Sequence, residues 1–391
     1  MPRVIVLIEK SRAFGRGLLR GTIRYSNLHG PWLFFTEPEF YREGPTPSYK
    51  WMASLHADGI LAHTWDHRTI EMIVDLGLPA MVCGLLQPRS SAWPVVTYEQ
   101  EMGRMAGEYL LERGYQRFAY CGFDDMPWSK RRGENFSRTV AGAGFETFFY
   151  RQPRVHRPPI PGEDQPVIAE WLRSLPRPIA VMAGNDDRSQ DVLAACKIAG
   201  LKVPLEVAIL GVDNDEFICD LSYPQLSSIA VDTERAGYEA ARVLDRLMRQ
   251  EPMTEEEQEV LVYPVQVVTR QSTDVLAVED PEVAQAVQFI RKHAREAIQV
   301  SDVAEAVGLS RRALQQRFRR VLARSVHEEI RQGRVNHMAE MLVETNLPVF
   351  QIAELLGYPD ASNISRYFKR QKGVSPSAYR KKLAPPIGPS E

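Results

Sequence analysis

The hydrophobic positions of the first 270 residues alternate between short β-branched runs and longer amphipathic stretches. Val4–Ile8 and Ala80–Cys83 are apolar runs of strand length, whereas Tyr98–Arg113 and Thr233–Gln250 repeat apolar residues at helical spacing. Strands that alternate with helices are typical of a parallel sheet covered by helices. The number of such units is enough for two α/β lobes. We therefore predict a two-lobed α/β domain.

The remaining segments extend the same alternation. Predicted strands are Trp32–Phe35, Asp58–Ala62, Arg117–Cys121, Glu146–Tyr150, Ile179–Met182, Val207–Leu210, Ser227–Ala230, Val260–Val262 and Val265–Val268. Predicted helices are Gly17–Ser26, Thr69–Leu76, Pro166–Ser174 and Ser189–Ala199, besides the two named above. Asp232 precedes the last helix and is expected to cap it.

One motif occurs twice in the last hundred residues. Val303–Gly308 reads Val-Ala-Glu-Ala-Val-Gly, and Ile352–Gly357, 49 residues later, reads Ile-Ala-Glu-Leu-Leu-Gly. Farther on, Phe318 matches Phe368 at an offset of 50, so one extra turn residue separates the copies. Each copy predicts a helix, a glycine turn and a second helix, which is helix-turn-helix geometry. The sequence predicts two such units, at about residues 301–322 and 349–371.

The helical period indicates which side chains of each second helix face outward. Leu314 and Phe318 lie on the apolar stripe of the first copy, so the polar residues between them project away from it. Arginine and glutamine near a helix N-terminus can bond guanine and adenine edges, and later basic residues suit phosphates. The candidate DNA-binding residues are Arg311, Arg312, Gln315, Gln316 and Arg319 in the first copy and Ser362, Ser365, Arg366 and Lys369 in the second.

The chain length and the distribution of charge indicate two parts with different functions. The 391 residues suffice for two or three domains, and the net charge of the whole chain is only −2. From Pro281 to the end there are 18 basic against 11 acidic residues, whereas residues 1–280 carry 30 basic against 39 acidic. A basic module on an acidic body indicates nucleic-acid binding by the C-terminal segment. An acidic, proline-containing stretch, residues 273–281, is the expected linker.

The repeat identifies residues 282–384 as similar to an AraC-type double helix-turn-helix domain, an all-α fold that binds double-stranded operator DNA. The resemblance implies that Arg312, Gln315 and Gln316 read bases in the first unit. It implies that the base-reading positions of the second unit are Ala361, Ser362 and Arg366. Ala361 departs from the usual polar residue, which weakens direct readout there. Residues 385–391 are expected to be a frayed tail.

Polar residues follow several predicted strands of the first domain, where ligands of open α/β sheets bind. They come after the strands at Arg117–Cys121, Ile179–Met182 and Val207–Leu210. Carboxylates, amides and an arginine beside aromatic rings form the chemistry of a sugar site. These candidate ligand-binding residues are Trp128, Arg132, Asn185, Asp186, Asp213 and Asn214, with Phe14 as a further ring.

A second resemblance rests on Ile209–Asn214, on Gly184 with the Asn-Asp that follows it, and on Leu226–Asp232. These segments resemble the type I periplasmic-binding-protein-like sensor of LacI-type regulators, over residues 1–272. The resemblance implies that Arg132, Asn185 and Asp213 hold sugar hydroxyls.

A LacI-type sensor followed by an AraC-type domain resembles bacterial regulators of sugar operons. That likeness adds Arg16 and Arg188 to the expected site. It implies a sugar-responsive transcription regulator, an aldopentose such as xylose as effector, activation through RNA polymerase, and a homodimer formed through the sensor.

Two other functions remain open from the residues. Gly15, Gly17 and Gly21 resemble a dinucleotide fingerprint, which would suit a NAD-dependent sugar oxidoreductase with an accessory helical domain. However, the glycines lie too far beyond the first strand and are spaced one residue too long. Alternatively, the helical tail binds a protein instead of DNA. Because no further catalytic or metal motif stands out, and we expect His63 to be a satisfied loop histidine, we predict no enzyme activity, cofactor or metal.

The sequence also bears on location. The N-terminal apolar run is too short for a signal peptide, and no stretch approaches the ~20 apolar residues of a membrane span. Cys83, Cys121, Cys196 and Cys219 lie far apart, which favours a reducing compartment and buried packing roles. We therefore expect a bacterial cytoplasmic protein, associated with the nucleoid when bound to DNA.

Overall fold

The structure, a computed structural model, describes residues 1–36, 50–153, 162–254, 257, 259–274, 280–296, 298–322, 324–358, 361–372 and 374–383. The chain divides into two compact units. Residues 1–109 and 117–273 form the first unit, and residues 110–116 and 274–391 form the second.

The first unit contains two six-stranded sheets, one for each of the two α/β lobes that the alternating pattern predicts. The strands are β1 (Arg3–Leu7), β2 (Leu33–Thr36), β3 (Gly59–His63), β4 (Ala80–Cys83), β5 (Ala92–Thr97), β6 (Phe118–Cys121), β7 (Thr147–Phe149), β8 (Ile179–Ala183), β9 (Val207–Asp213), β10 (Ser227–Val231), β11 (Val260–Val262) and β12 (Pro264–Val268). The first sheet has the order β11-β5-β4-β3-β1-β2 and the second has the order β12-β10-β9-β8-β6-β7. All pairings between these strands are parallel except that of β10 with β12.

Helices cover both sheets, and we call the first sheet with its helices the N-lobe and the second the C-lobe. The helices are α1 (Ala13–His29), α2 (Lys50–Ser54), α3 (His67–Asp75), α4 (Glu99–Glu112), α5 (Pro127–Gly142), α6 (Gln165–Ser174), α7 (Asp186–Ala199), α8 (Glu216–Leu221) and α9 (Thr233–Met248). Asp232 caps α9 as predicted, since its side chain accepts from the Arg235 N–H at 3.2 Å. All four cysteines are buried.

The glycine series of α1 has a packing role. A Cβ at Gly17 would collide with the Thr233 hydroxyl, and one at Gly21 would collide with the Glu234 carbonyl oxygen. Glycines at these positions therefore let α1 and α9 approach closely. The fingerprint-like spacing is explained by helix packing, which needs no dinucleotide.

Three chain segments cross between the lobes. They lie at Thr97–Glu99, Val231–Thr233 and Val262–Pro264, between elements that belong to different lobes. The crossings are bonded to one another, because the Tyr98 N–H donates to the Val262 carbonyl and the Asp232 N–H donates to the Tyr263 carbonyl, each at 2.9 Å. Connections of this kind between two lobes are where hinge motion occurs in proteins that close around ligands.

The second unit is helical over its described residues 280–383. Its helices are α10 (Pro281–Lys292), α11 (Val300–Ala306), α12 (Arg311–Leu322), α13 (Val326–Glu344), α14 (Val349–Leu355), α15 (Ala361–Lys372) and α16 (Pro376–Leu383). The predicted pairs are α11 with α12 and α14 with α15. Gly308 and Gly357 end the first helix of each pair with φ of +65° and +75°, the left-handed conformation that the repeat predicts.

Each helix pair has its own core. Leu314 and Phe318 of α12 are fully buried. On α15, Phe368 is fully buried and Ile364 is 1% exposed. These are the apolar positions that match in the repeat. Helix α13 contributes Ile330 to the first core and Met338 and Leu342 to the second, so it bridges the pairs.

Both ends of the expected linker are built into neighbouring elements. Thr273 lies in a short 3₁₀ helix, Gln271–Thr273, and is fully buried. At the other end Asp280 caps α10 and is 8% exposed. Residues 275–279, the middle of this stretch, and the expected tail 385–391 lie outside the described residues, so the domain boundaries stay a prediction.

Candidate functional sites

A cavity of about 320 Å³ opens between the N-lobe and the C-lobe. Its walls come from residues at or just after the carboxyl ends of strands, where the fold class places a ligand. The N-lobe wall includes Arg12, Ala13, Phe14, His63, Trp65, Cys83 and Thr97. The C-lobe wall includes Phe123, Met126, Trp128, Arg132, Asn185, Asp186, Asp187, Asp213, Asp215 and Ile218.

Arg132 is held rigidly in the cavity wall. It is 2% exposed, and its Nε and Nη2 donate to the Glu99 carboxylate at 2.6 and 3.1 Å. Its Nη1 also donates to the Gly184 carbonyl at 2.5 Å. A guanidinium has five N–H groups, so these three bonds leave two for a ligand. Glu99, itself 6% exposed, compensates the buried charge.

Asp213 ends β9 in a strained backbone conformation. Its φ is +103° and that of Asn214 is +49°, values that side-chain-bearing residues rarely adopt and that concentrate at ligand sites. Burial raises the pKa of Asp213 to about 7, although Arg132 opposes the shift. The strand is three residues longer than predicted, so Asp213 belongs to the strand and not to the loop after it.

Asp186 supports the turn that carries Asp213. Its carboxylate accepts from the Asp215 N–H at 2.7 Å and from the Ser228 hydroxyl at 2.6 Å. Asp186 is 1% exposed, and burial raises its pKa well above the ordinary value. Its carboxylate also accepts from the Cys219 thiol at 3.6 Å, and these bonds to protein groups make Asp186 primarily a positioning residue, although it also lines the cavity.

Asn185 is the N-cap of α7. Its side-chain oxygen accepts from the Arg188 N–H at 3.0 Å, which directs the amide group to the cavity edge. The helix starts three residues earlier than predicted, because this cap and the acidic first turn suit a helix N-terminus. The amide nitrogen of Asn185 can donate to a ligand, since the cap uses only the oxygen.

Aromatic rings line both sides of the cavity. Trp128 packs against the Arg132 guanidinium, whose Cζ lies 4.9 Å from the Trp128 ring centroid. Phe14 and Trp65 belong to the opposite wall. Flat apolar faces beside fixed polar groups suit a sugar, whose C–H faces stack while its hydroxyls form hydrogen bonds.

Charged side chains join the lobes at the cavity mouth. Arg12 of the N-lobe pairs with Asp187 of the C-lobe, Nη2 to Oδ1 at 2.8 Å. Asp215 of the C-lobe accepts from the Ala13 N–H at 2.5 Å and from Arg16 Nη2 at 3.3 Å. These contacts connect the N-terminal end of α1 to the C-lobe.

Three predicted ligand residues do not line this cavity. Arg16 instead bonds Asp215. Arg188 lies behind the wall, with its cation carbon 4.1 Å from the Phe123 ring centroid and its Nη1 3.1 Å from Asp164. Asn214 uses its side-chain oxygen to accept from Arg270 at 2.9 Å. Their positions indicate roles in holding the site together.

Glu99 was not among the predicted site residues. It follows β5, a strand that contains Pro94 and that was not predicted either. Yet β5 pairs with β4 on one side and with β11 on the other. The apolar run Ala92–Thr97 was the signal that could have located it.

The predicted DNA-binding residues of α12 form an exposed polar face. Arg311, Arg312, Gln315, Gln316 and Arg319 are all exposed. The Ser310 hydroxyl caps this helix by accepting from the Ala313 N–H at 3.2 Å. Arg317 and Arg320 of the same helix bond the Asp280 carboxylate at 3.1 and 3.2 Å, which ties the helix to the start of α10.

Helix α15 presents a smaller polar face. Ser362, Arg366 and Lys369 are exposed, whereas Ala361 and Ser365 are half-buried. Ala361 packs against the second helical core. The structure therefore brings fewer of the predicted contacts to the surface here than on α12.

The fold and these two sites define the class of protein, a sugar-responsive DNA-binding transcription regulator. Residues 108–273 match the family described as periplasmic binding protein-like domain, and residues 303–382 match the helix-turn-helix domain.

The full-length relatives specify the class further. The chain is 30% identical over 386 residues to the xylose operon regulatory protein of Escherichia coli strain K12, covering 97% of this chain and 96% of that protein. It is 28% identical to the protein of the same name from Haemophilus influenzae, with 97% and 98% covered. The chain belongs to the family of xylose operon regulatory proteins.

A solved structure agrees with this assignment. The structure of a xylose-binding transcription activator matches with a TM-score of 0.61 and 28% identity, covering 98% of both chains. Among the described helices none has the length and hydropathy of a membrane span. The described residues also contain no cluster of three or more metal-ligating side chains.

Proposed function

We propose that the effector is an aldopentose, xylose or a related pentose, bound in the cavity between the lobes. Arg132, Asn185 and Asp213 bind its hydroxyls, and Trp128 packs on its apolar face. The observation that carries this proposal is the pairing of fixed, buried polar groups with aromatic walls in a cleft at the strand ends. Relatives named as xylose operon regulatory proteins and a xylose-binding structure support the sugar class.

Effector binding shifts the lobes toward the closed arrangement. The hinge of three crossings allows the walls to separate, and a ligand that contacts both walls favours closure. The free energy available for regulation equals the difference in ligand affinity between the two arrangements. The Arg12–Asp187 ion pair contributes to the same equilibrium, because it also joins the two lobes.

The helical domain binds double-stranded operator DNA with α12 and α15 in the major groove. Support comes from the exposed Arg, Gln and Lys side chains on both helices and from the net positive charge of residues 281–391. The contacts of α12 read bases, and Lys369 on α15 contacts phosphate.

The remaining functional assignments follow from this class. The protein acts as an activator that works with RNA polymerase, forms a homodimer through its sensor domain, and carries out no catalysis. It works in the bacterial cytoplasm, on the nucleoid when bound to operator. The description of the 28% identical solved structure as a xylose-binding transcription activator supports the assignment of activation.

Isothermal titration calorimetry with the full chain tests the effector class. The panel contains D-xylose, D-ribose, L-arabinose, D-lyxose, D-glucose and D-galactose. A pentose should bind, and at 100 times its Kd it should stabilise the fold by about 2.7 kcal/mol in a thermal melt. If no member of the panel binds, the proposal is wrong.

A further inference from the structure

His63 stands at the carboxyl end of β3, in the N-lobe wall of the cavity. Its ring packs against Phe14, another wall residue, with centroids 5.0 Å apart and planes inclined by 35°. This packing restricts the orientation of the imidazole.

The Nδ1 atom of His63 is buried and has no hydrogen-bond partner among the described residues. A buried polar atom without a partner costs about 1–3 kcal/mol relative to one that is bonded. Because the His63 ring lines the cavity, a ligand around which the lobes close can supply the missing hydrogen bond and remove this cost. The prediction that His63 is a satisfied loop histidine is therefore wrong.

The other polar side chains of the N-lobe wall are already engaged. Arg12 pairs with Asp187, and the Thr97 hydroxyl bonds Glu99. The rest of the described N-lobe wall consists of Ala13, Phe14, Cys83 and Trp65, of which Trp65 carries an indole N–H that can donate but not accept. His63 is thus the side chain of this wall that can offer a ligand an acceptor as well as a donor.

We propose that His63 is a specificity-determining residue that binds a hydroxyl of the effector from the N-lobe, opposite the Arg132 and Asp213 of the C-lobe. This inference rests on the proposed function, since it assigns a role within the same sugar cavity. A ligand held by His63 on one side and by Asp213 on the other connects the two lobes. The hydrogen bond to His63 therefore contributes both to affinity and to closure.

The imidazole is suited to this role because it stays neutral. Burial lowers the pKa of His63 to about 4, so at neutral pH one ring nitrogen donates and the other accepts. A sugar hydroxyl can do both as well. A site that bonds a hydroxyl discriminates strongly against an analogue that lacks it, because the protein group is then left unpaired.

The test compares three variants of the full chain by calorimetry and thermal melting, with the tightest-binding pentose of the panel as ligand. His63→Phe keeps an aromatic ring and removes both nitrogens. His63→Asn keeps a polar group near the Nδ1 position. Thr147→Val is the matched control, because Thr147 also has a buried unpartnered polar atom but does not line the cavity.

We expect His63→Phe to weaken pentose binding by about tenfold or more while the melting temperature without ligand stays equal or rises. His63→Asn should retain more affinity than His63→Phe. Thr147→Val should leave the Kd unchanged. A deoxypentose that lacks the bonded hydroxyl should bind the wild type more weakly than the parent pentose, and His63→Phe should bind both sugars about equally.

A purely structural role for His63 predicts the reverse pattern, a lower melting temperature with an unchanged Kd, and that result would overturn the inference. If the wild type binds no sugar of the panel, the proposed function itself fails and the inference falls with it. If His63→Phe does not fold, the affinity of His63→Asn and the imidazole ¹⁵N resonances of the wild type test whether His63 contacts the pentose. Resonances of His63 that do not move on pentose titration would contradict the contact.

Discussion

The cavity and the DNA-binding surface use similar side chains in opposite environments. In the cavity Arg132 is 2% exposed and its charge is balanced by a buried carboxylate. On α12 the arginines 311, 312 and 319 are exposed to solvent. A buried charge depends on its partner for stability, whereas an exposed one has water as an alternative. Substitutions in the cavity should therefore change both folding and binding, and those on the helices should change binding alone.

The largest effect is expected where a buried ion pair loses one member. Glu99→Gln leaves the Arg132 guanidinium buried without its countercharge, which typically costs about 3–5 kcal/mol. Chemical denaturation should report this loss, and pentose binding should disappear because Arg132 is no longer held.

The control for this experiment is Glu108→Gln on the same helix. Glu108 pairs with Arg104 at 2.5 Å, but both side chains are about half exposed. The same chemical change should cost less than about 1 kcal/mol there. Equal losses at both positions would contradict the contrast between buried and exposed charges.

A second substitution separates stability from binding within the cavity. Burial raises the pKa of Asp213 to about 7 in the folded protein, against an ordinary value of 3.8. Between these two values the folded state binds more protons than the unfolded state, so stability falls as the pH rises through that window. Asp213→Asn removes this loss and, since asparagine tolerates positive φ, keeps the backbone conformation.

We therefore expect Asp213→Asn to be more stable than the wild type at pH 8, by on the order of 1 kcal/mol or more, given about 1.4 kcal/mol per unit of pKa. The difference should shrink to nothing near pH 4. The same variant should bind pentose poorly, because an ionised acceptor has been lost. A variant that is less stable at pH 8 would show that Asp213 supports the fold.

The local pattern of polar and apolar residues predicted those parts of both sites that are set by neighbouring residues in the sequence. Asn185 and Asp213 were predicted because polar residues at strand ends meet at one edge of a parallel sheet. The outward face of α12 was predicted because it needs only the helical period and two apolar anchors.

What the sequence did not reveal depends on contacts between distant segments. The N-lobe partner of the cavity, His63, looks like any loop histidine until β3 is placed opposite the C-lobe. The position of Arg188 is a similar case, because only the fold shows that it packs on Phe123, a cavity residue, without lining the cavity itself. The glycines of α1 resembled a nucleotide loop because their real neighbour, α9, is more than 200 residues away.

On the DNA side a smaller effect is expected, and without a change in stability. Gln315→Ala removes a side chain that can bond a base edge, so we expect a loss of about 1–3 kcal/mol in discrimination at one half of the operator. Ser362→Ala on α15 is the comparison, and it should relax the base preference of the protein less than Gln315→Ala does. A binding-site selection with the full chain measures both. Loss of preference in the half under α15 after Gln315→Ala would contradict the assignment.

The smallest effect is expected at a phosphate contact. Lys369 is exposed on the third turn of α15, past the N-terminal turn that would approach the bases. Lys369→Ala should weaken binding to all sequences alike, because a phosphate carries no sequence information. The slope of log affinity against log salt should fall in magnitude by about 1, since one fewer counterion is released. The melting temperature should not change, as surface substitutions usually change the free energy of unfolding by no more than about 0.5 kcal/mol.

Fluorescence anisotropy over a salt series, on operator and on unrelated DNA, measures the DNA affinity of Lys369→Ala and its salt dependence directly. An altered base preference would place Lys369 among the base-reading residues, and the contrast between α12 and α15 would then disappear.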